Sequence, residues 1–151
     1  MKNILFICHG NICRSPVAEF VFKKMVNDAG LQDAFYIESA ATSREELGND
    51  IYPPAKRSMD AHGIPYERRA ARQITVADYD KFDYIVVMDE RNISNAKKIV
   101  GDDSQAKISK LLSWAGINRD IADPWYTGDF EQSYSDILQG CEALLEKLKE
   151  A

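Results

Sequence analysis

Residues 3–16 read Asn3-Ile4-Leu5-Phe6-Ile7-Cys8-His9-Gly10-Asn11-Ile12-Cys13-Arg14-Ser15-Pro16. From Ile4 to Ile7 every side chain is apolar, the pattern of a strand covered on both faces. A turn-like stretch, Cys8 to Arg14, follows it. Ser15-Pro16 then reads as a helix N-cap with Pro at the first helical position. Val17, Phe20, Val21, Met25 and Val26 recur at helical spacing, and Gly30 is a good stop. The chain therefore opens as strand, loop, helix.

Working outward, the same alternation continues. Phe35 to Ala40 is a second candidate strand, and Pro53-Pro54 begins a helix that Gly63 closes. Thr75 with Asp78 signals a capped turn. Tyr84 to Met88 is another strand apolar on both faces, and Arg91 to Val100 reads as a helix stopped by Gly101. Ile108 to Leu112 is a fourth strand candidate. Phe130, Tyr134, Ile137, Leu138, Cys141, Leu144, Leu145 and Leu148 form the apolar stripe of a closing helix. The alternation predicts an α/β fold: one domain over 1–151, a three-layer sandwich with a central four-stranded parallel sheet and helices on both faces. Ligands in such folds bind beyond the carboxyl ends of the strands, where Cys8 lies.

The 151 residues suffice for one core without staples. A net charge of −5 argues against a nucleic-acid footprint. The three cysteines, Cys8, Cys13 and Cys141, are neither a disulfide framework nor a zinc set. The run Ile4 to Ile7 is too short for a signal peptide or a membrane span. A reducing, cytoplasmic setting without a membrane partner is expected.

The loop between strand and helix carries the chemistry. Its backbone N–H groups can converge on an anion, and the helix dipole adds positive potential. Gly10 permits close backbone approach and an unusual φ. Arg14 supplies a planar fork for two phosphate oxygens. A cysteine at the mouth of this cradle is expected as the thiolate, a nucleophile toward phosphorus, and Ser15 can donate to it. Read alone, Cys8 could equally be a small buried side chain at a strand end; Arg14 and Ser15 in register favour the nucleophile. Release of an ester oxygen also needs a proton donor, commonly a carboxylic acid. Asp123-Pro124-Trp125-Tyr126 offers an acid beside an aromatic slot. Spacing by itself favours a plainer reading, a turn before the last helix with its aromatics packed in the core.

The segment Ile7 to Ser15 resembles the phosphate-binding loop of low-molecular-weight protein tyrosine phosphatases. The resemblance continues through Ser39, Ala71-Arg72-Gln73-Ile74, Phe82-Asp83-Tyr84-Ile85, Met88-Asp89 and Asp123-Pro124, in order along the chain. It implies hydrolysis of phosphotyrosine through a phosphocysteine. Cys8 would be the nucleophile, and Arg14 would bind phosphate with the loop from His9, Gly10, Asn11, Ile12 and Cys13 to Ser15. Asp123 would be the general acid and then the general base. Asn11 would hold the loop's shape with Ser39 and His62 as partners, and Cys13 would be a redox partner of Cys8. His9, Trp125 and Tyr126 would line the substrate pocket. No metal or other cofactor is implied.

Some positions depart from the pattern. His9 stands where an apolar or small polar residue is more usual, and Trp125 replaces a common Tyr. Arg44-Glu45-Glu46 puts a charged rim where many eukaryotic members have an aromatic. The partners implied are a phosphotyrosine protein, a cognate tyrosine kinase as one candidate, and no second copy of a default monomer. The rival readings are an arsenate reductase, a phosphoryl carrier and a non-catalytic phosphopeptide-binding module. The first needs a mid-chain cysteine pair that this sequence lacks, and the other two have no need of Cys8, Arg14 and Asp123 together.

Overall fold

The computed structural model describes residues 1–149. Strands β1 (Lys2–Cys8), β2 (Phe35–Ala41), β3 (Tyr84–Val87) and β4 (Ile108–Lys110) form one sheet in the order β2-β1-β3-β4. All three pairings are parallel, with Cys8 opposite Ala41 and Ile7 opposite Val87. The apolar run is thus the central strand β1. Its residues alternate between two cores: Ile4, Phe6 and Cys8 join one, Leu5 and Ile7 the other.

Helices α1 (Arg14–Asp28), α2 (Pro53–Ala61) and α6 (Phe130–Leu148) cover the Phe6 face, while α3 (Val76–Lys81) and α4 (Glu90–Val100) cover the Leu5 face. A short helix α5 (Pro124–Thr127) precedes α6. Phe6 and Phe22 are fully buried and meet edge to face at 5.7 Å. Each such side chain contributes about 1.5–3 kcal/mol by leaving water. The chain steps from β1 to β2 on one side and to β3 on the other. The carboxyl ends of β1 and β3 therefore flank the point where the winding reverses, the usual crevice for a ligand.

Three local expectations are corrected. Ser15 does not cap α1: the helix begins at Arg14, with Cys13 as N-cap and no side-chain cap. The Ser15 hydroxyl is engaged by Cys8 and Asn11 instead. The fourth strand stops at Lys110, and Leu111–Ala115 winds into a 3-10 turn. Leu111 and Leu112 are both buried in one core, which neighbouring strand residues facing opposite ways could not manage. Finally, β3 ends at Val87 and α4 starts at Glu90, because Asp89 caps it reciprocally with Asn92. The capping box of Thr75 and Asp78 is present as expected.

Candidate active site

The site starts where β1 runs out. The Cys8 sulfur faces three donors: the N–H of Asn11 at 3.3 Å, the N–H of Ser15 at 3.4 Å, and the Ser15 hydroxyl at 3.0 Å. The loop carbonyls are tied off on its outer side. Thr42, Ser43 and Tyr52 donate their N–H groups to the carbonyls of Cys8, His9 and Ile12, at 3.0, 3.0 and 2.9 Å. In a trans peptide the following N–H points opposite to the carbonyl. The amides of His9, Gly10 and Cys13 therefore turn the other way.

Asn11 takes the left-handed conformation that closes the loop, with φ of 59°, which Asn tolerates better than most residues. The unusual φ expected at Gly10 falls here instead. Gly10 serves close approach: a Cβ there would meet Cγ of Glu46 at 3.3 Å. The fully buried Asn11 amide is held on both ends. Its Oδ1 accepts from the Arg69 guanidinium and from the Arg72 N–H at 3.3 Å. Its Nδ2 donates to Ser15 Oγ at 2.7 Å and to Ser39 Oγ at 3.0 Å.

These partners fix the direction of the protons. Ser39 donates to the Glu19 carboxylate at 2.6 Å, and Lys23 holds the other Glu19 oxygen at 2.6 Å. A carboxylate only accepts, so the Ser39 oxygen is left to accept from Asn11. Ser15 likewise accepts from Asn11, and its own proton is free for Cys8. Breaking such a buried network leaves groups unsatisfied, at about 1–3 kcal/mol each.

Arg14 is buried, with 2% of its surface exposed. Its Nη1 donates to Asp89 Oδ2 and to the Ile121 carbonyl, both at 2.8 Å, and its Nη2 lies 3.4 Å from Asp123 Oδ2. Burial works against its charge, but Cys8, Asp123 and Asp89 outweigh it and raise its pKa. Asp123 also caps α5 by accepting from the Trp125 N–H at 3.0 Å.

Cys8, Arg14 and Asp123 share an open depression of about 500 Å³, bordered further by His9, Trp125, Tyr126, Glu45 and Glu46. Trp125 and Tyr126 are 50% and 78% exposed, so the core-packed reading of this stretch is wrong. Trp125 leans on Tyr52 at 4.6 Å between ring centroids. His9 pairs with Glu45 at 2.8 Å across the rim. Cys13 lines the same depression, and burial, then the charges of Cys8 and Asp123, push its thiol pKa up. Cys141 is wholly buried in the core under α6, as its place on the apolar stripe predicts.

His62 is a correction. It does not support Asn11: as the C-cap of α2 it stacks on Tyr134 at 3.9 Å and bonds Glu131 at 2.9 Å, both on α6. Arg69 holds the Asn11 oxygen instead. Sequence reasoning also passed over Asp89, Glu19 and Tyr52 as site residues. Asp89 had a signal, since it comes just past the carboxyl end of a buried strand. Arg69 had none, for it sits in an irregular stretch without period. Among the described residues no group of three His, Cys, Asp or Glu side chains could hold a metal ion, and no helix is long and apolar enough to cross a membrane.

Known proteins resemble this chain in sequence and in fold. The profile described as low molecular weight phosphotyrosine protein phosphatase matches residues 3–151. The rat low molecular weight phosphotyrosine protein phosphatase is 44% identical, covering 97% of this chain and 95% of its own. The crystal structure of YfkJ from Bacillus subtilis superposes with a TM-score of 0.95 at 35% identity, over 99% of this chain and 96% of that one. The structure of a Drosophila arginine phosphatase superposes with a TM-score of 0.88 at 32% identity, over 99% and 98%.

Proposed function

The chain belongs to the low molecular weight phosphotyrosine protein phosphatase family, and we propose on that footing that it hydrolyses phosphotyrosine through a phosphocysteine on Cys8. The observation that carries this is the Cys8 sulfur, under three donors, in one depression with the Arg14 guanidinium and the Asp123 carboxyl. In the first step the Cys8 thiolate attacks phosphorus, an S–P bond forms and the P–O bond to the aryl group breaks. Asp123 gives its proton to the departing oxygen. Arg14 and the amides turned inward by the tied carbonyls hold the oxygens that carry charge in the transition state. In the second step Asp123 takes a proton from water, water attacks phosphorus and the S–P bond breaks. The Ser15 proton, directed at sulfur by Asn11, stabilises the departing thiolate.

The exposed Trp125 and the rim around it suit an aromatic ring between mouth and floor. A phosphoserine ester is shorter and would not carry its phosphorus to Cys8. The arginine phosphatase among the structural relatives makes phosphoarginine the rival substrate class. Cys13 beside Cys8 would form a reversible disulfide under oxidation. The three free thiols suit a reducing compartment such as the cytoplasm. Substrates would be supplied by a tyrosine kinase, and the enzyme acts as a monomer.

The test is phosphate release from phosphotyrosine, phosphoserine and phosphoarginine peptides by wild type, Cys8→Ser and Asp123→Ala. Wild type is expected to act on phosphotyrosine alone. Cys8→Ser should abolish turnover, and Asp123→Ala should lower kcat by about 10²–10⁴. Acid quenching during turnover should trap label on Cys8. Faster release from phosphoarginine, or no label on cysteine, would overturn this reading.

A further inference from the structure

The depression around Cys8 opens sideways into a second one of about 450 Å³, which shares His9, Arg14, Asp123 and Tyr126 with it. Its far wall is α4, through Asp89, Arg91, Asn92 and Asn95. The groove runs on along the same helix past Ser94 and Lys98. Arg91, Asn95 and Lys98 are spaced four and three residues apart, so they share one helix face.

The carboxylates along this groove are already engaged. Asp89 holds Arg14 and the N–H of Asn92, Asp123 holds the N–H of Trp125, and Glu90 pairs with Lys110 at 3.0 Å. Arg91 is exposed and has no hydrogen-bond or ion-pair partner among the described residues. Glu45 and Glu46 line the first depression and not the second, Glu45 paired with His9 and Glu46 bonded to Asn49. The α4 side of the mouth therefore carries an uncommitted guanidinium.

We propose that the α4 groove docks the substrate chain beside its phosphotyrosine, and that Arg91 selects segments with an acidic side chain on that flank. This rests on the phosphotyrosine reading above. In an extended segment successive side chains point to opposite sides at about 3.3 Å per residue. A flanking carboxylate can then reach Arg91 while the aryl phosphate occupies the depression over Cys8.

The experiment compares kcat/KM for phosphotyrosine peptides of equal length, with Glu or Lys placed first on one flank and then on the other. Its readout is the ratio of Glu to Lys peptides for one enzyme, in which any general loss of activity cancels. Wild type is expected to prefer Glu on one flank by about 2- to 5-fold, the range of an exposed ion pair. Arg91→Ala should bring that ratio to about one, and Arg91→Glu should invert it. Salt at 0.5 M should flatten it, since exposed charges are then screened. A wild-type ratio of one on both flanks, or a preference that survives Arg91→Glu, overturns the docking proposal while leaving hydrolysis intact. If wild type releases phosphate from neither peptide nor a small aryl phosphate, the activity reading itself falls and takes this proposal with it.

Discussion

Asp89 divides its carboxylate between two tasks. One oxygen accepts from the N–H of Asn92 at 2.8 Å and caps α4; the other holds Arg14 at 2.8 Å. The guanidinium is thereby oriented before any substrate arrives, and less of the binding energy is spent on ordering it. The two tasks can be separated. Asp89→Ser keeps an oxygen able to cap the helix but removes the ionic partner of Arg14. We expect kcat/KM for an aryl phosphate to fall by up to about 10², the scale of a misplaced positioning group. Helix content by circular dichroism should stay at the wild-type level. Unchanged kinetics in that variant would show that Ile121 and the burial of Arg14 orient it without Asp89. This residue could be found in the sequence only as an acid following a strand; its bond to Arg14, 75 residues away, could not.

At the level of elements, the joint between the 3-10 turn and α6 explains why the fourth strand is short. Gly140 lies in the middle of α6 on the side that faces Leu111. A Cβ at Gly140 would fall 2.5 Å from Leu111 Cγ and 3.0 Å from its Cδ1, too close for either to stay. The missing side chain is the notch that lets Leu111 leave the sheet and enter the core. Gly140→Ala tests this, because two effects compete. Ala favours the helix by about 1 kcal/mol, whereas overpacking a full core costs about 1–3 kcal/mol. Leu111 is fully buried, so overpacking should win by about 1 kcal/mol. The urea midpoint should drop with an unchanged slope; a rise would mean the turn yields freely. The apolar stripe of α6 was legible from its period, but the notch was not, since it depends on a partner 29 positions earlier.

At the scale of the whole molecule, Asp50 links stability to the site. Burial alone would push its carboxyl pKa up, but Lys56 at 2.6 Å and the N–H groups of Arg69 and Ile51 outweigh it and bring it down to about 2. An unfolded Asp titrates near 3.9. The stabilisation is therefore complete above about pH 4 and lost as pH falls through about 2. Thermal unfolding followed from pH 5 to pH 2 should show a steepening loss that Asp50→Asn flattens. An equal slope in the variant would place the acid sensitivity elsewhere. Asp50 accepts from the Arg69 N–H, and the Arg69 side chain in turn holds Asn11 in the loop under Cys8. The sequence by itself determined the alternation of strands and helices, a first strand covered on both faces and the motif from Cys8 to Ser15, because these are written in short-range period, turn chemistry and a contiguous motif. Only the tertiary structure decided that Asn11 and not Gly10 carries the strained φ, that Arg69 and not His62 holds it, and that Asp89 orients Arg14. It also brought Asp123 to the same depression as Cys8. Those pairings join residues tens of positions apart, and a parallel sheet sets them by stacking distant strand ends side by side, a geometry that no local pattern encodes.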